Sequence, residues 1–161
     1  MKAKLTFIGI IVFLFILPAT GQSIKKWKYA ELEQYINQSK TPVVINFWAT
    51  FCKPCVEEIP YFQKAIKQFQ DKKVKLILAS LDFPEYYPDK IEAYAKKYGF
   101  TAEIIWIDEE DPGQFCPKVD KDWSGVLPAT LLINKKKNYR SFHSQQLSEM
   151  ELVKELNKST E

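Results

Sequence analysis

The sequence predicts a single α/β domain in which helices cover both faces of a mixed β-sheet. Short continuous apolar runs, typical of buried strands, alternate with amphipathic segments typical of helices. The last two strand segments are separated only by the polar turn 134–138, which favours an antiparallel hairpin. Crossover helices imply parallel strands elsewhere in the sheet. The length of 161 residues suits one domain with a hydrophobic core.

Each element has a recognisable sequence signal. The expected elements are, in order, a helix over 27–37, a strand over 43–48, a helix from 52 to about 70, a strand over 74–81, a helix starting at Asp89, a strand over 102–107, strands over 129–133 and 139–143, and a helix starting at Ser148. Pro60 should kink the second helix. Asp89 with Glu92 and Ser148 with Glu151 are predicted capping boxes, and 108–124 is expected to be a loop.

The first residues have the layout of a secretory signal peptide. Lys2 and Lys4 precede an apolar run over 5–17, which is followed by the small residues Ala19 and Gly21. We expect a signal peptide over 1–21 and a single folded domain over 22–161. An uncleaved membrane anchor is the alternative. Export places the domain in the periplasm or another compartment outside the cytosol, where disulfides persist.

The charge balance argues against one class of partner. The chain has 23 basic and 20 acidic residues, and removing Lys2 and Lys4 leaves 21 against 20, a net charge of about +1. Nucleic-acid-binding domains are strongly basic. We therefore expect no nucleic-acid partner.

The segment WATFCKPCVEEIP places Cys52 and Cys55 directly after the first strand. A structural disulfide, half of a metal site and a redox couple are the possible interpretations. If a helix begins near Cys52, free N–H groups and the helix dipole stabilise a thiolate there, and such Cys-X-X-Cys pairs have lowered pKa values. A disulfide closing so short a loop constrains the unfolded chain little. The redox couple is favoured, with Lys53 as a nearby cation and Pro54 stiffening the first helical turn as tuning residues.

Three features together give a family resemblance: the run VVINFWATFCKPCVEEIP, the later GVLPAT and the signal peptide. The chain resembles exported bacterial thioredoxin-like thiol-disulfide oxidoreductases of the TlpA/ResA type. The resemblance implies a thioredoxin-like fold in which Cys52 is the exposed nucleophile, Cys55 the partly buried resolving cysteine and Pro128 a cis-proline facing them. The main chain of Leu127 would then pair with an extended substrate segment.

The resemblance also implies a general acid/base, with two departures from the family pattern. Thioredoxin has a buried aspartate where this chain has Asn46, whereas the ResA-like branch uses a glutamate that matches Glu58. Glu58 is therefore the candidate acid/base, and a solvated carboxylate is the alternative. Phe51 and Lys53 replace residues that are more usual in the family, which leaves the reduction potential open.

Several other residues have two interpretations. Trp48 either borders the substrate groove or packs in the core. Cys116 is either a reactive thiol or, as we favour, an incidental buried cysteine. His143, the single histidine, is expected to be structural.

The expected function is reduction of protein disulfides by an exported, monomeric enzyme that a membrane-bound donor supplies with electrons. No cofactor beyond the Cys52–Cys55 disulfide and no metal is expected. The alternatives are a disulfide-donating oxidase or isomerase, a copper metallochaperone using both cysteines and His143, and a thiol peroxidase.

Overall fold

The structure, a computed structural model, describes residues 23–161, so the expected signal peptide lies outside the described residues. The elements are, in order, β1 (Lys25–Trp27), α1 (Tyr29–Gln38), β2 (Val43–Trp48), α2 (Lys53–Gln68), β3 (Lys75–Ser80), α3 (Asp89–Lys97), β4 (Glu103–Ile107), α4 (Pro112–Val119), β5 (Ala129–Asn134), β6 (Tyr139–His143) and α5 (Glu149–Thr160). None of these helices is long and apolar enough to cross a bilayer. The α/β architecture is the one that the sequence predicts.

The six strands form one mixed sheet in the order β1-β4-β3-β2-β5-β6. The pairs among β1, β4, β3 and β2 are parallel, whereas β5 is antiparallel to both β2 and β6. The carboxyl ends of β2, β3 and β4 therefore meet the amino end of β5 at one edge of the sheet. The loops that carry the cysteines and Pro128 both lie at this edge.

Apolar side chains fill both sides of the sheet, which confirms that helices cover both faces. On one face α2, α3 and α5 contribute residues such as Phe62, Ile91 and Leu156. On the other face α1 and α4 contribute Leu32 and Phe115. Each helix presents its apolar stripe to the sheet, as amphipathic crossover helices do.

The prediction of a loop over 108–124 is wrong, because α4 occupies its middle. The Asp111 side chain accepts a hydrogen bond from the Gly113 N–H at 2.8 Å and caps the helix, and Pro112 fills the first helical position. Phe115 and Val119 are buried against the sheet. These start signals are present in the sequence, but the helix has only eight residues and contains Pro117, so its apolar pattern repeats over only about two turns.

Two further predictions about element ends are wrong. Lys25–Trp27 is an edge strand paired with β4, and the helix predicted from 27 begins at Tyr29. Asp89 and Glu92 do not form a capping box, because Pro88 occupies the N-cap position and Asp89 is already helical. The second predicted box, Ser148 with Glu151, is confirmed. Helix α2 runs from Lys53 to Gln68 without interruption at Pro60.

Candidate active site

Cys52 and Cys55 are joined by a disulfide with a Cα–Cα distance of 5.4 Å, which makes this the oxidised state of the pair. Cys52 is 8% exposed and Cys55 is 0% exposed. Cys52 is thus less exposed, and Cys55 more deeply buried, than the sequence predicts. Cys52 is the more exposed of the two residues.

The amino end of α2 provides a hydrogen-bond donor to the Cys52 sulfur. Cys52 is the N-cap residue, and its Sγ accepts a hydrogen bond from the Cys55 N–H at 3.3 Å. Pro54 lies in the first turn, where its missing N–H costs no helical hydrogen bond. A thiolate on Cys52 would face the positive end of the helix dipole. This local setting favours ionisation of Cys52 once the disulfide is reduced.

Lys53 is a surface residue. Its side chain is 88% exposed and forms an ion pair with Glu57 at 3.6 Å. An ion pair this exposed is screened by solvent and is worth little. The structure therefore favours a plain surface charge for Lys53 over a tuning role.

Glu58 is fully buried one turn after Cys55. Its Oε1 accepts a hydrogen bond from Asn46 Nδ2 at 2.7 Å, and its Oε2 accepts one from the Leu147 N–H at 3.1 Å. Burial raises its pKa from 4.5 to about 7, against the opposing effect of those two hydrogen bonds. A carboxyl group with this pKa can gain or lose a proton near neutral pH.

Asn46 links Glu58 to the sheet. Its Nδ2 also donates to Thr130 Oγ1 at 3.1 Å, and Thr130 is the residue opposite Asn46 on β5. Its Oδ1 is buried and has no hydrogen-bond partner among residues 23–161. Asn46 therefore holds the carboxyl group in place and retains one unused acceptor.

Pro128 lies at the same edge of the sheet, and the Leu127–Pro128 peptide bond is cis, as expected. Pro128 directly precedes β5, whose Ala129 pairs with Phe47 of β2. Leu127 is half-buried and Pro128 is buried. Gly125 has a φ of 91°, a conformation that favours glycine, and so sets the turn leading to the proline.

The comparisons with known proteins agree with this geometry. Residues 14–141 match the AhpC/TSA family. The chain belongs to that family. The thiol-disulfide oxidoreductase ResA of Geobacillus thermodenitrificans is 33% identical over 93 residues, which are 58% of this chain and 48% of the relative. The chain thus matches about half the length of that curated relative.

Solved structures show that this AhpC/TSA protein has a thioredoxin fold. A thioredoxin-related protein from Neisseria meningitidis serogroup B aligns with a TM-score of 0.61 and 25% identity, covering 78% of this chain and 87% of that one. A thioredoxin-family thiol:disulfide interchange protein from Chlorobium tepidum aligns with a TM-score of 0.63 and 17% identity, covering 79% and 85%.

The structure corrects one predicted site residue of this AhpC/TSA protein. Trp48 is fully buried and packs against Tyr94 and Phe100, with ring centroids 6.3 and 5.3 Å away. Its side chain cannot contact a substrate, so the prediction that it borders the groove is wrong and the core interpretation holds. Cys116 is also buried, and burial raises its pKa to about 11, which fits an unreactive thiol.

The sequence reasoning missed two groups at the site. Asp82 is buried, and its carboxylate accepts hydrogen bonds from the Thr50 N–H at 3.0 Å and from the Thr50 hydroxyl at 2.6 Å. Asp82 therefore fixes the loop that leads to Cys52. Phe51 and Phe83 are both exposed and stack at 5.5 Å between centroids. The available signal for this pair was an aromatic residue placed three residues after the end of each of two neighbouring strands.

Proposed function

We propose that this protein is an exported thiol-disulfide oxidoreductase that reduces protein disulfides through a mixed disulfide. The observation that carries the proposal is the position of Cys52: it caps the amino end of α2, is disulfide-bonded to the buried Cys55, and lies on the helix that carries the buried Glu58. The relatives named thiol-disulfide oxidoreductase support the same activity.

The first step is attack by the Cys52 thiolate on one sulfur of a client disulfide. A new bond forms between Cys52 and that sulfur, and the other client sulfur leaves as a thiolate. The hydrogen bond from the Cys55 N–H and the helix dipole stabilise the attacking anion. The cis-Pro128 loop at the same edge of the sheet offers the Leu127 main chain to an extended client segment.

The second step releases the client. The Cys55 thiol loses its proton and attacks Cys52, the mixed disulfide breaks, and the client sulfur leaves with both electrons. Glu58 lies one turn from Cys55 on α2 and has a pKa of about 7, so its carboxylate form can take the proton of Cys55. The domain ends with the Cys52–Cys55 disulfide.

The domain then needs two electrons from a donor, which we assign to a membrane-bound partner. The redox-active disulfide suffices for the chemistry, so we propose that the domain works as a monomer without a cofactor and without a nucleic-acid partner. The segment 1–21 supports export as a signal peptide.

The competing functions differ in what they require of the site. A disulfide donor uses the same atoms with electrons flowing in the opposite direction. The copper chaperone considered above uses His143 together with both cysteines, and within residues 23–161 no group of three or more His, Cys, Asp or Glu residues is placed to hold a metal ion. A peroxidase could use Cys52 with Cys55, whereas Cys116 is too buried to resolve it.

Three measurements test the proposal. The equilibrium potential of the Cys52–Cys55 pair against glutathione should be about −270 mV, and a value of about −120 mV would indicate a disulfide donor. The Cys55→Ala variant should accumulate mixed disulfides with proteins containing disulfides, and Cys52→Ala should not. Rapid consumption of peroxide with no reduction of insulin would contradict the proposal in favour of a peroxidase.

A further inference from the structure

A pocket of about 280 Å³ opens at the carboxyl ends of β3 and β4. Leu81, Phe83, Trp106, Ile107 and Phe115 form most of its apolar wall. Trp106 is held in place by a 2.8 Å hydrogen bond from its Nε1 to the Asp82 carbonyl oxygen. The pocket is therefore a preformed apolar hollow, the kind of feature that accepts a side chain or a small ligand.

The pocket is continuous with the cysteine site. In the sheet, β3 lies between β2, which leads to Cys52, and β4. Phe83 lines the pocket and also stacks on Phe51, the residue before Cys52. Asp82 lines the pocket and binds Thr50 of the same loop. A polypeptide that reaches Cys52 and continues along this edge of the sheet toward β4 would pass over the Phe51–Phe83 stack and reach the pocket.

The three carboxylates on the outer rim of the pocket, Asp108, Glu109 and Glu110, differ in their direct partners. Asp108 forms ion pairs with Lys26 and Lys28 at 3.1 and 3.2 Å. Glu109 accepts a hydrogen bond from the Tyr29 N–H at 2.7 Å. Glu110 is exposed and has neither an ion pair nor a hydrogen bond within the described part of the chain. A basic group on the occupant would complement it.

We propose that this pocket is a second client subsite, which takes an apolar side chain of an extended polypeptide while a neighbouring basic side chain faces Glu110. Adjacent strands are about 4.8 Å apart and an extended chain advances about 3.3 Å per residue, so the apolar side chain lies about two or three residues from the client cysteine. This inference rests on the proposed function and names the sequence class of its clients.

Cysteine peptides activated as mixed disulfides with thionitrobenzoate test the subsite. The reduced protein supplies two electrons: Cys52 attacks the peptide disulfide, Cys55 then displaces the bound thiol, and peptide thiol and thionitrobenzoate are released as the protein disulfide forms. The peptides carry Leu-Lys, Leu-Gln or Ala-Lys about three residues from the cysteine, before it in one set and after it in another. The measured quantity is the ratio of the second-order rate constants between peptides.

The wild-type protein should react about fivefold to tenfold faster with the Leu-Lys peptide than with the Ala-Lys peptide, the range expected for burying about half of the surface that leucine has beyond alanine. Phe83→Ala should bring this ratio close to one. Glu110→Gln should remove only the preference for Leu-Lys over Leu-Gln. Met150→Ala, which removes an exposed apolar side chain on α5, is the matched control and should leave both ratios unchanged.

Equal rates for all peptides with the wild-type protein would overturn the subsite, even though the reduction itself would support the proposed function. If no peptide is reduced, Cys-to-Ser versions are titrated while the Trp106 indole N–H signal is followed by NMR. Stronger shifts with the leucine peptides would support the subsite without the activity, and equal shifts would overturn it. Concentration-dependent dimerisation that Phe83→Ala abolishes, together with equal rates, would identify a second copy of the chain as the occupant and overturn the proposal.

Discussion

Replacing Glu58 with glutamine should change how the stability of the oxidised protein depends on pH. Glu58 is the fully buried carboxyl group beside Asn46 and the Leu147 N–H. A glutamine can keep the bond from Leu147 through its Oε1. A half-turn of the Asn46 amide would let its unpartnered Oδ1 accept from the new Nε2, so the variant should fold. Because glutamine and glutamate have nearly the same volume, the substitution removes the ionisable group without creating a cavity.

The magnitude follows from the pKa of Glu58, which burial raises from 4.5 to about 7. Because the folded-state pKa is raised, the folded state holds the proton longer than the unfolded chain. The stability present at low pH is therefore lost as the pH rises from 4.5 through about 7. At about 1.36 kcal/mol per pH unit, the loss in the wild-type protein amounts to about 3 kcal/mol, and the glutamine variant does not incur it.

Denaturant unfolding at pH 4 and pH 8 measures this effect. Both proteins are kept oxidised so that Cys52 and Cys55 do not titrate. The other ionisable groups are the same in the two proteins, so their contributions to the pH dependence cancel in the comparison. The gain in free energy of unfolding from wild type to Glu58→Gln should be about 3 kcal/mol larger at pH 8 than at pH 4. Identical pH dependence in the two proteins would refute the assignment of a raised pKa to Glu58 and, with it, the proton transfer from Cys55.

Three further predictions concern single sites. Asn46→Asp places a second carboxyl group where Asn46 Nδ2 lies 2.7 Å from Glu58, so the two acids must share a proton. In denaturant unfolding, the variant should therefore lose more stability between pH 5 and pH 8 than the wild-type protein does. Burial raises the pKa of Cys116 to about 11, so this thiol should resist alkylation at pH 8 in the folded protein and react fully in denaturant. Mass spectrometry measures both reactions, and fast labelling of the native protein would contradict the burial of Cys116. Ser148→Ala removes the 3.3 Å bond from the Glu151 N–H at the start of α5 and should lower the free energy of unfolding by about 1 kcal/mol, whereas Ser148→Asp should retain most of it.

The sequence predicts the helices and strands correctly where the pattern of apolar residues is long and periodic. The run at 43–48 corresponds to β2, because a strand that is buried on both faces is apolar throughout. The helical spacing after Cys52 corresponds to α2, because a helix that is buried on one face has apolar residues every three or four positions. The three-residue β1 and the eight-residue α4 were missed, because elements this short show only one or two periods of the pattern. Their formation depends on contacts with distant residues, as in the pairing of Lys25 with Ile105.

Apart from the cis-Pro128 that the family resemblance implies, the site was predictable only where its chemistry is encoded within a short segment. The cysteine pair is three residues apart, and Glu58 lies one turn further along the same helix. The role of Asp82 depends on the neighbouring strands β2 and β3, since it reaches Thr50 across 32 positions of sequence. The burial of Trp48 likewise depends on Phe100, which lies far along the chain. Contacts between distant residues leave no local pattern for a single sequence to show.

The central claim is that the reduced Cys52 is an accessible thiolate near neutral pH while Cys55 stays shielded beneath it. Alkylation of the reduced protein with iodoacetamide across a pH series, with peptide mapping to separate the two cysteines, tests this directly. Labelling of Cys52 should be fast and its pH midpoint should lie at least about one unit below the value of about 8.5 for free cysteine, with Cys55 hardly labelled. Equal, slow labelling of both cysteines with midpoints near that of free cysteine would contradict the account.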